Sequence, residues 1–227
     1  MEKPTKAEQA AGYTFNDSSL LSQALSHSSF AEEKRGGRKF SNERLEFLGD
    51  AIIGFLVGKA VYTHFPEEDE GVLSRLKAHW VSTSALAVIS EEAGVRDALM
   101  MGAGEEKSGG GGNPRNLAGA LEAFLAAIYL DGGMAAAEKF VSRFWDEKIG
   151  REGTGVLRLD SKTLLQEKLQ LRFKEIPEYL VEEDGSEFLA TVRFRGKNLG
   201  NGRGNSKKKA EQEAAARALE NDSFDHE

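Results

Sequence analysis

Through the first 145 residues apolar side chains recur at helical spacing and no alternating pattern competes with them, so this part of the chain is expected to fold as packed helices. The periodicity predicts helices at Ser18 to Ser28, Glu43 to His64, Val72 to Glu92, Pro114 to Leu130 and Met134 to Lys148. Asn113 can cap the fourth and Pro114 suits its first position, while "KSGGGGNP" just before it reads as a flexible turn. Between Ile149 and Leu159 the periodicity stops and glycines gather, as in a linker. Beyond it the pattern changes to a helix from Ser161 to Arg172, alternating runs at Tyr179 to Glu182 and Phe188 to Phe194, a short third strand near Asn198, and a helix from Ser206 to Glu220. The fold class expected is therefore an all-α domain at 1–149, a linker at 150–159, a small α+β domain of order α-β-β-β-α at 160–221, and a tail at 222–227.

The segment "NERLEFLGDA" places Glu43, Glu46 and Asp50 within an arc of about 60° on one helix face. Leu45, Phe47, Leu48, Ile52 and Ile53 surround them. Acids on a solvated face are the ordinary alternative, but carboxylates crowded among apolar side chains cost several kcal/mol each unless a cation neutralises them. Glu122 stands in similar isolation among Leu117, Leu121, Phe124 and Leu125. The loop "PEEDEG", with Glu67, Glu68, Asp69 and Glu70, would by itself be a solvated turn. With no cysteine in the chain, disulfides and thiolate metal sites are excluded, and any metal must sit on oxygen or imidazole. Such hard ligands suit Mg²⁺, with Mn²⁺ as a substitute, and phosphodiester hydrolysis is the natural chemistry.

The net charge of −7 is unevenly distributed, for the second domain is close to neutral and gathers bases in "RGNSKKKAEQ", at Arg203 and Lys207 to Lys209. Charges break the apolar runs before the roughly 18 residues that a membrane span needs, and the N-terminus lacks the apolar core of a secretion signal. The expectation is a cytoplasmic protein with no membrane partner.

"NERLEFLGDA" resembles the signature of ribonuclease III, and the resemblance continues through "ALSHSSF", "GEEKSGG" and "LEAFLAAIYLDGG". The second domain, from "DSKTLLQEKLQ" to "GNSKKKAEQEAAARAL", looks like the double-stranded RNA-binding domain of bacterial members. The resemblance implies an all-α nuclease domain forming a homodimer, with two sites in one valley that cut both strands of an RNA duplex. Products would carry 5′-phosphates and short 3′ overhangs, in processing of structured rRNA, mRNA and tRNA precursors. It implies Glu46, Asp50 and Glu122 as metal ligands, the last two catalytic, and Glu43 and Glu70 as supporting acids. Phe47 matches an aromatic that packs into the partner subunit, although its spacing fits a core residue equally well. His27 is read as structural. For duplex RNA, Thr163, Gln166 and Glu167 would face a minor groove, while Lys207, Lys208 and Lys209 meet phosphates across the major groove.

Two departures stand out. Where the family has "LAD", this chain has "LAG", so Gly119 replaces a metal-ligand Asp, and Asn116 lies three residues out of register for a rescue. The hairpin "EEDGSEFLAT" is shorter than the family's and lacks its Pro and His. The expected function is a Mg²⁺-dependent double-strand-specific endoribonuclease, attenuated by Gly119; the alternative is a duplex-RNA-binding protein with weak or no cleavage.

Overall fold

The computed structural model describes residues 5–34, 36–154 and 161–221. Its backbone divides into two compact units, Met1–Gly153 and Thr154–Glu227. The tail 222–227 and residues 155–160 of the expected linker lie outside the described residues.

The first unit is helical: α1 (Lys6–Ala11), α2 (Ser18–Ala24), α3 (Ser28–Lys34), α4 (Glu43–His64), α5 (Glu70–Trp80), α6 (Thr83–Glu92), α7 (Val95–Ala98), α8 (Ala103–Lys107) and α9 (Pro114–Glu152), with 3₁₀ turns at Arg38–Phe40 and Gly110–Gly112. The helix expected from Val72 to Glu92 is two helices, because Ser82 takes an extended backbone and its hydroxyl caps the Ala85 N–H, starting α6 afresh. The one expected at Ser18 to Ser28 stops at Ala24, and α3 begins after it. The two helices expected on either side of Leu130 are both present, taken together as α9, and they meet at a kink where Gly133 has a non-helical backbone (φ 74°, ψ −176°) that glycine adopts readily. Buried Ile149 anchors the last turn and accepts the Gly153 N–H, so Gly150, Arg151 and Glu152 belong to α9 and not to the linker.

The core forms where α4 and α6 pack against α9. Phe124, Phe140 and Trp145 of α9 are buried with Ile53, Leu76 and Leu86, and the Trp145 Nε1–H donates to the Trp80 carbonyl at 3.1 Å. Burial of a large apolar side chain stabilises by roughly 1.5 to 3 kcal/mol, so α9 carries much of this unit's stability. By length and composition α9 could cross a membrane, although Glu122 and Asp131 interrupt its apolar runs as the sequence reading expects; half of that stretch is buried inside the fold, as in a core helix. Asp131 fastens the segment after α1, accepting from Tyr13 Oη at 2.6 Å and from the Asn16 and Asp17 N–H groups at 2.9 Å.

The second unit follows the expected order: α10 (Ser161–Phe173), β1 (Glu178–Asp184), β2 (Glu187–Phe194), β3 (Lys197–Gly204) and α11 (Lys207–Asn221). The sheet is antiparallel in the order β1-β2-β3, and Asp184 pairs with Glu187, leaving a two-residue turn with Gly185 at φ 65°. That is the shortened hairpin in its tightest form. The third strand runs to Gly204, well beyond the short stretch expected, because Gly200, Gly202 and Gly204 let α11 lie directly on it. A Cβ at any of the three would collide with backbone atoms around Ala210, Ala214 or Ala218.

Candidate active site and RNA-binding surface

Helices α4 and α9 approach so closely at Gly49 that a Cβ there would collide with the Glu122 carbonyl. One consequence is that Glu122 on α9 comes under the influence of Glu46 and Asp50, which lie on α4 to either side of Gly49. Burial drives the Glu122 carboxyl up to about 7, with the charges of Asp50 and Glu46 adding to the push. Burial also raises Glu46, helped by Glu43 and Asp50 and opposed by Arg115 and His27. The three acids therefore form one electrostatic unit. Buried Gly119 lies against Glu46: a Cβ on it would stand 2.8 Å from the Glu46 carboxyl carbon, so Glu46 covers the place that a side chain at 119 would fill. Asn116 is turned elsewhere, its amide donating to Glu105 Oε1 at 3.0 Å and the Gly110 carbonyl at 3.1 Å.

Glu43 and Glu70 stand differently. Arg38 holds the Glu43 carboxyl below the usual carboxylate range, pairing with it at 2.5 Å while the Ser41 hydroxyl donates at 3.0 Å. Glu43 thus reaches the cluster only through its charge on Glu46. Glu70 opens α5, exposed, and accepts from Ser74 Oγ at 2.7 Å; no interaction within the described residues joins it to the other acids. His27 bonds through Nδ1 to Ser29 Oγ at 2.8 Å, and Ser29 in turn accepts the Gly102 N–H. Phe47 is 82% exposed, so it is no part of this chain's own core.

Among the described residues no three His, Asp or Glu side chains are gathered as a ready-made metal cage. The donor chemistry nevertheless fits a hard divalent cation, since half-buried Glu46 and Glu122, both pushed up by burial and by neighbouring acids that include Asp50, are relieved by positive charge, and the ligating atoms of all three are oxygen. The cation would have to draw them together.

In the second unit Thr163, Gln166 and Glu167 are exposed along one face of α10. Lys207, Lys208 and Lys209 are exposed at the start of α11, where the Ser206 hydroxyl accepts the Lys209 N–H. Lys207 leans toward Glu183 at 3.7 Å; Lys208 and Lys209 line an open hollow with Arg203 and Gln212.

The chain matches a "Ribonuclease-III-like" family model over residues 17–148 and the double-stranded RNA binding motif over residues 161–221. It is 42% identical over 224 residues to "Ribonuclease 3" of Geobacter metallireducens, covering 96% of this chain and 91% of that protein. "Ribonuclease 3" of Pseudothermotoga lettingae is 43% identical over 217 residues, 92% of this chain and 91% of that one. The chain belongs to the ribonuclease III family. It is a double-strand-specific endoribonuclease with a double-stranded RNA-binding domain. The crystal structure of the ribonuclease III nuclease domain from Campylobacter jejuni superposes with a TM-score of 0.58 at 37% identity, over 65% of this chain and 97% of that one. A second structure of the same domain, described for flexibility in the region involved in dimer formation, gives 0.57 at 39%, over 63% and 95%.

Within this ribonuclease III Glu46 and Asp50 are close enough to act on Glu122 by charge, without forming a ready-made metal cage, and Glu70 stands apart. Sequence reasoning missed the Arg38–Glu43 pair and the reach of Arg115 toward Glu46. It also passed over Gly49, although a glycine inside a helical pattern, between Leu48 and Asp50, is a signal of close approach.

Proposed function

We propose that this ribonuclease III binds Mg²⁺, with Mn²⁺ able to substitute, through Glu46, Asp50 and Glu122, and acts as a homodimer on structured rRNA, mRNA and tRNA precursors in the cytoplasm. Its products carry 5′-phosphates and short 3′ overhangs. The observation that carries the metal assignment is Glu122: a carboxyl pushed up to about 7 against two other acids is poised to take a cation in place of a proton. When bound, the ion would supply Lewis-acid polarisation of the phosphate and a more acidic water. The chain's own residues do the rest. Asp50 and Glu122 fix the place of reaction on the α4–α9 wall, Glu46 closes it over Gly119, and Arg38 keeps Glu43 ionised beside them. Exposed lysines at the start of α11 hold phosphates, and the exposed face of α10 lies along a minor groove.

The test follows a labelled RNA duplex incubated with the chain and with its Glu122→Gln variant, in Mg²⁺ and in Mn²⁺. Cleavage by the unmodified chain alone, abolished by chelation, is the expected result. Binding without cleavage by both would instead support a second reading, a duplex-RNA-binding protein, which the missing side chain at Gly119 favours because the wall has three carboxylates where the family pattern has four. If the chain neither binds nor cuts, both readings fall.

A further inference from the structure

The carboxylate wall repels the very group it must receive, since an RNA phosphate is itself an anion. A bound metal ion would offset part of that repulsion, and a protein cation beside the wall would hold the phosphate in register. Arg38 is committed to Glu43 at 2.5 Å, with Glu32 at 3.8 Å on its other side. The loop from Ser108 to Pro114 carries no charge at all. The next cation along the chain is Arg115.

Arg115 lies in the first turn of α9, four residues before Gly119 and seven before Glu122, so at helical spacing the three fall within an arc of about 60° on one face. That face is turned to Glu46, as the Gly119 contact shows. The cap at Asn113 uses only the Arg115 main-chain N–H, at 3.0 Å. The side chain is exposed and makes no ion pair among the described residues, yet its charge reaches Glu46 and works against the effect of burial there. An unpaired guanidinium presents a planar fork that matches phosphate oxygens.

The departure at position 119 bears on this directly. An aspartate there would stand four residues from Arg115, the spacing at which an acid and a base pair along a helix. With glycine in that place Arg115 has no acid one turn along its own helix face to pair with, and only its longer-range charge reaches Glu46.

We propose that Arg115 is a positioning residue for the RNA, its guanidinium taking a non-bridging oxygen of the phosphate that lies against Glu46 and Glu122, and that Gly119 leaves it free to do so. This rests on the nuclease reading above, and it adds a phosphate contact made by the nuclease domain itself.

The experiment uses the full chain. In a Glu122→Gln background, which blocks cleavage, the affinity for a short RNA duplex is measured in Mg²⁺ across a salt series, with and without Arg115→Ala and Arg115→Lys. A lost phosphate contact makes the slope of log affinity against log salt shallower by about 1, and lysine, which keeps the charge, should recover it. In the cleaving chain Arg115→Ala should lower kcat by about 10- to 100-fold, the worth of one charge-assisted hydrogen bond. Installing Gly119→Asp first should shrink that loss, because the new acid would already hold Arg115. An unchanged salt slope overturns the proposal even if cleavage slows, since a residue acting only through Glu46 would not alter counterion release. A shallower slope with cleavage untouched also overturns it, by putting the contact away from the scissile phosphate. If the unmodified chain neither binds nor cuts duplex RNA, the functional reading fails before Arg115 is altered.

Discussion

Below pH about 4.5 the Glu122 carboxyl is protonated in both the folded and the unfolded chain, and it contributes no pH-dependent strain. Between that value and about 7 the unfolded chain ionises freely while the folded one resists, because burial and the charges of Asp50 and Glu46 disfavour the anion. The share of stability governed by Glu122 in the absence of divalent cations is therefore fully present below 4.5 and is lost as pH rises through about 7. Glu122→Gln removes this loss. Thermal melts in chelator should show the variant more stable than the parent at pH 8, with the gap closing toward pH 5, and Mg²⁺ should raise the parent's melting temperature at pH 8 far more than the variant's. Equal melting curves at pH 8 would contradict the assignment of Glu122 to the wall. Gly119 lends itself to a rate measurement. The nearest atoms that a Cβ there would meet are the end of the flexible Glu46 side chain, at 2.8 Å, so a swing of Glu46 makes room for Gly119→Asp. The restored acid should raise cleavage by about 10- to 100-fold at limiting Mg²⁺, the scale on which even indirect partners of a metal act. A rate that stays flat at every Mg²⁺ concentration would show that the fourth carboxylate is not what limits this enzyme.

Among the elements, those with strong periodicity were the most legible. Helix α4 starts and stops where the sequence expects, because its apolar positions are packed along most of its length. The face carrying Glu46 and Asp50 could be read for the same reason, whereas the Arg38–Glu43 pair could not, since it depends on a 3₁₀ turn whose backbone leaves no apolar pattern. Strand β3 was the least legible element. "KNLGNGRG" lacks the β-branched and aromatic residues that mark a strand, and its alternate glycines exist to admit α11. The partner signal lies in α11, where Ala210, Ala214 and Ala218 recur at four-residue spacing and are buried. Small residues on both surfaces bring the helix axis closer to the sheet than larger side chains would allow. Gly202→Ala forces a methyl into backbone atoms around Ala210 and Ala214 and should cost about 1 to 3 kcal/mol, the usual penalty of overpacking. Chemical denaturation of the second unit's transition measures it, and Gly111→Ala, in open space, serves as the neutral comparison. A loss no larger at Gly202 than at Gly111 would mean that α11 does not rest on β3 in solution.

At the scale of the whole molecule the unexplained surface is one side of α4. Phe47 is 82% exposed, Phe55 59% and Tyr62 71%, and at helical spacing these aromatics fall on one side of the helix. Leaving such side chains in water forgoes roughly 1.5 to 3 kcal/mol each, which a second copy could recover by packing its own α4 face against this one. A two-fold arrangement of that kind makes the surface self-complementary, so one substitution acts twice. Phe47→Asp places a charge on the most exposed aromatic of the row in both protomers and should convert the proposed dimer into the 24.8 kDa single chain, as read by sedimentation equilibrium. The single chain should keep its fold, because Phe47 contributes little to its own core, and it should keep duplex binding through the separate second unit. What it should lose is coordinated cutting: a duplex that the dimer cleaves on both strands would be nicked or left whole. If Phe47→Asp sediments as the parent does and still cuts both strands, the aromatic face is not a contact between protomers, and the proposed pairing of two copies through α4 falls.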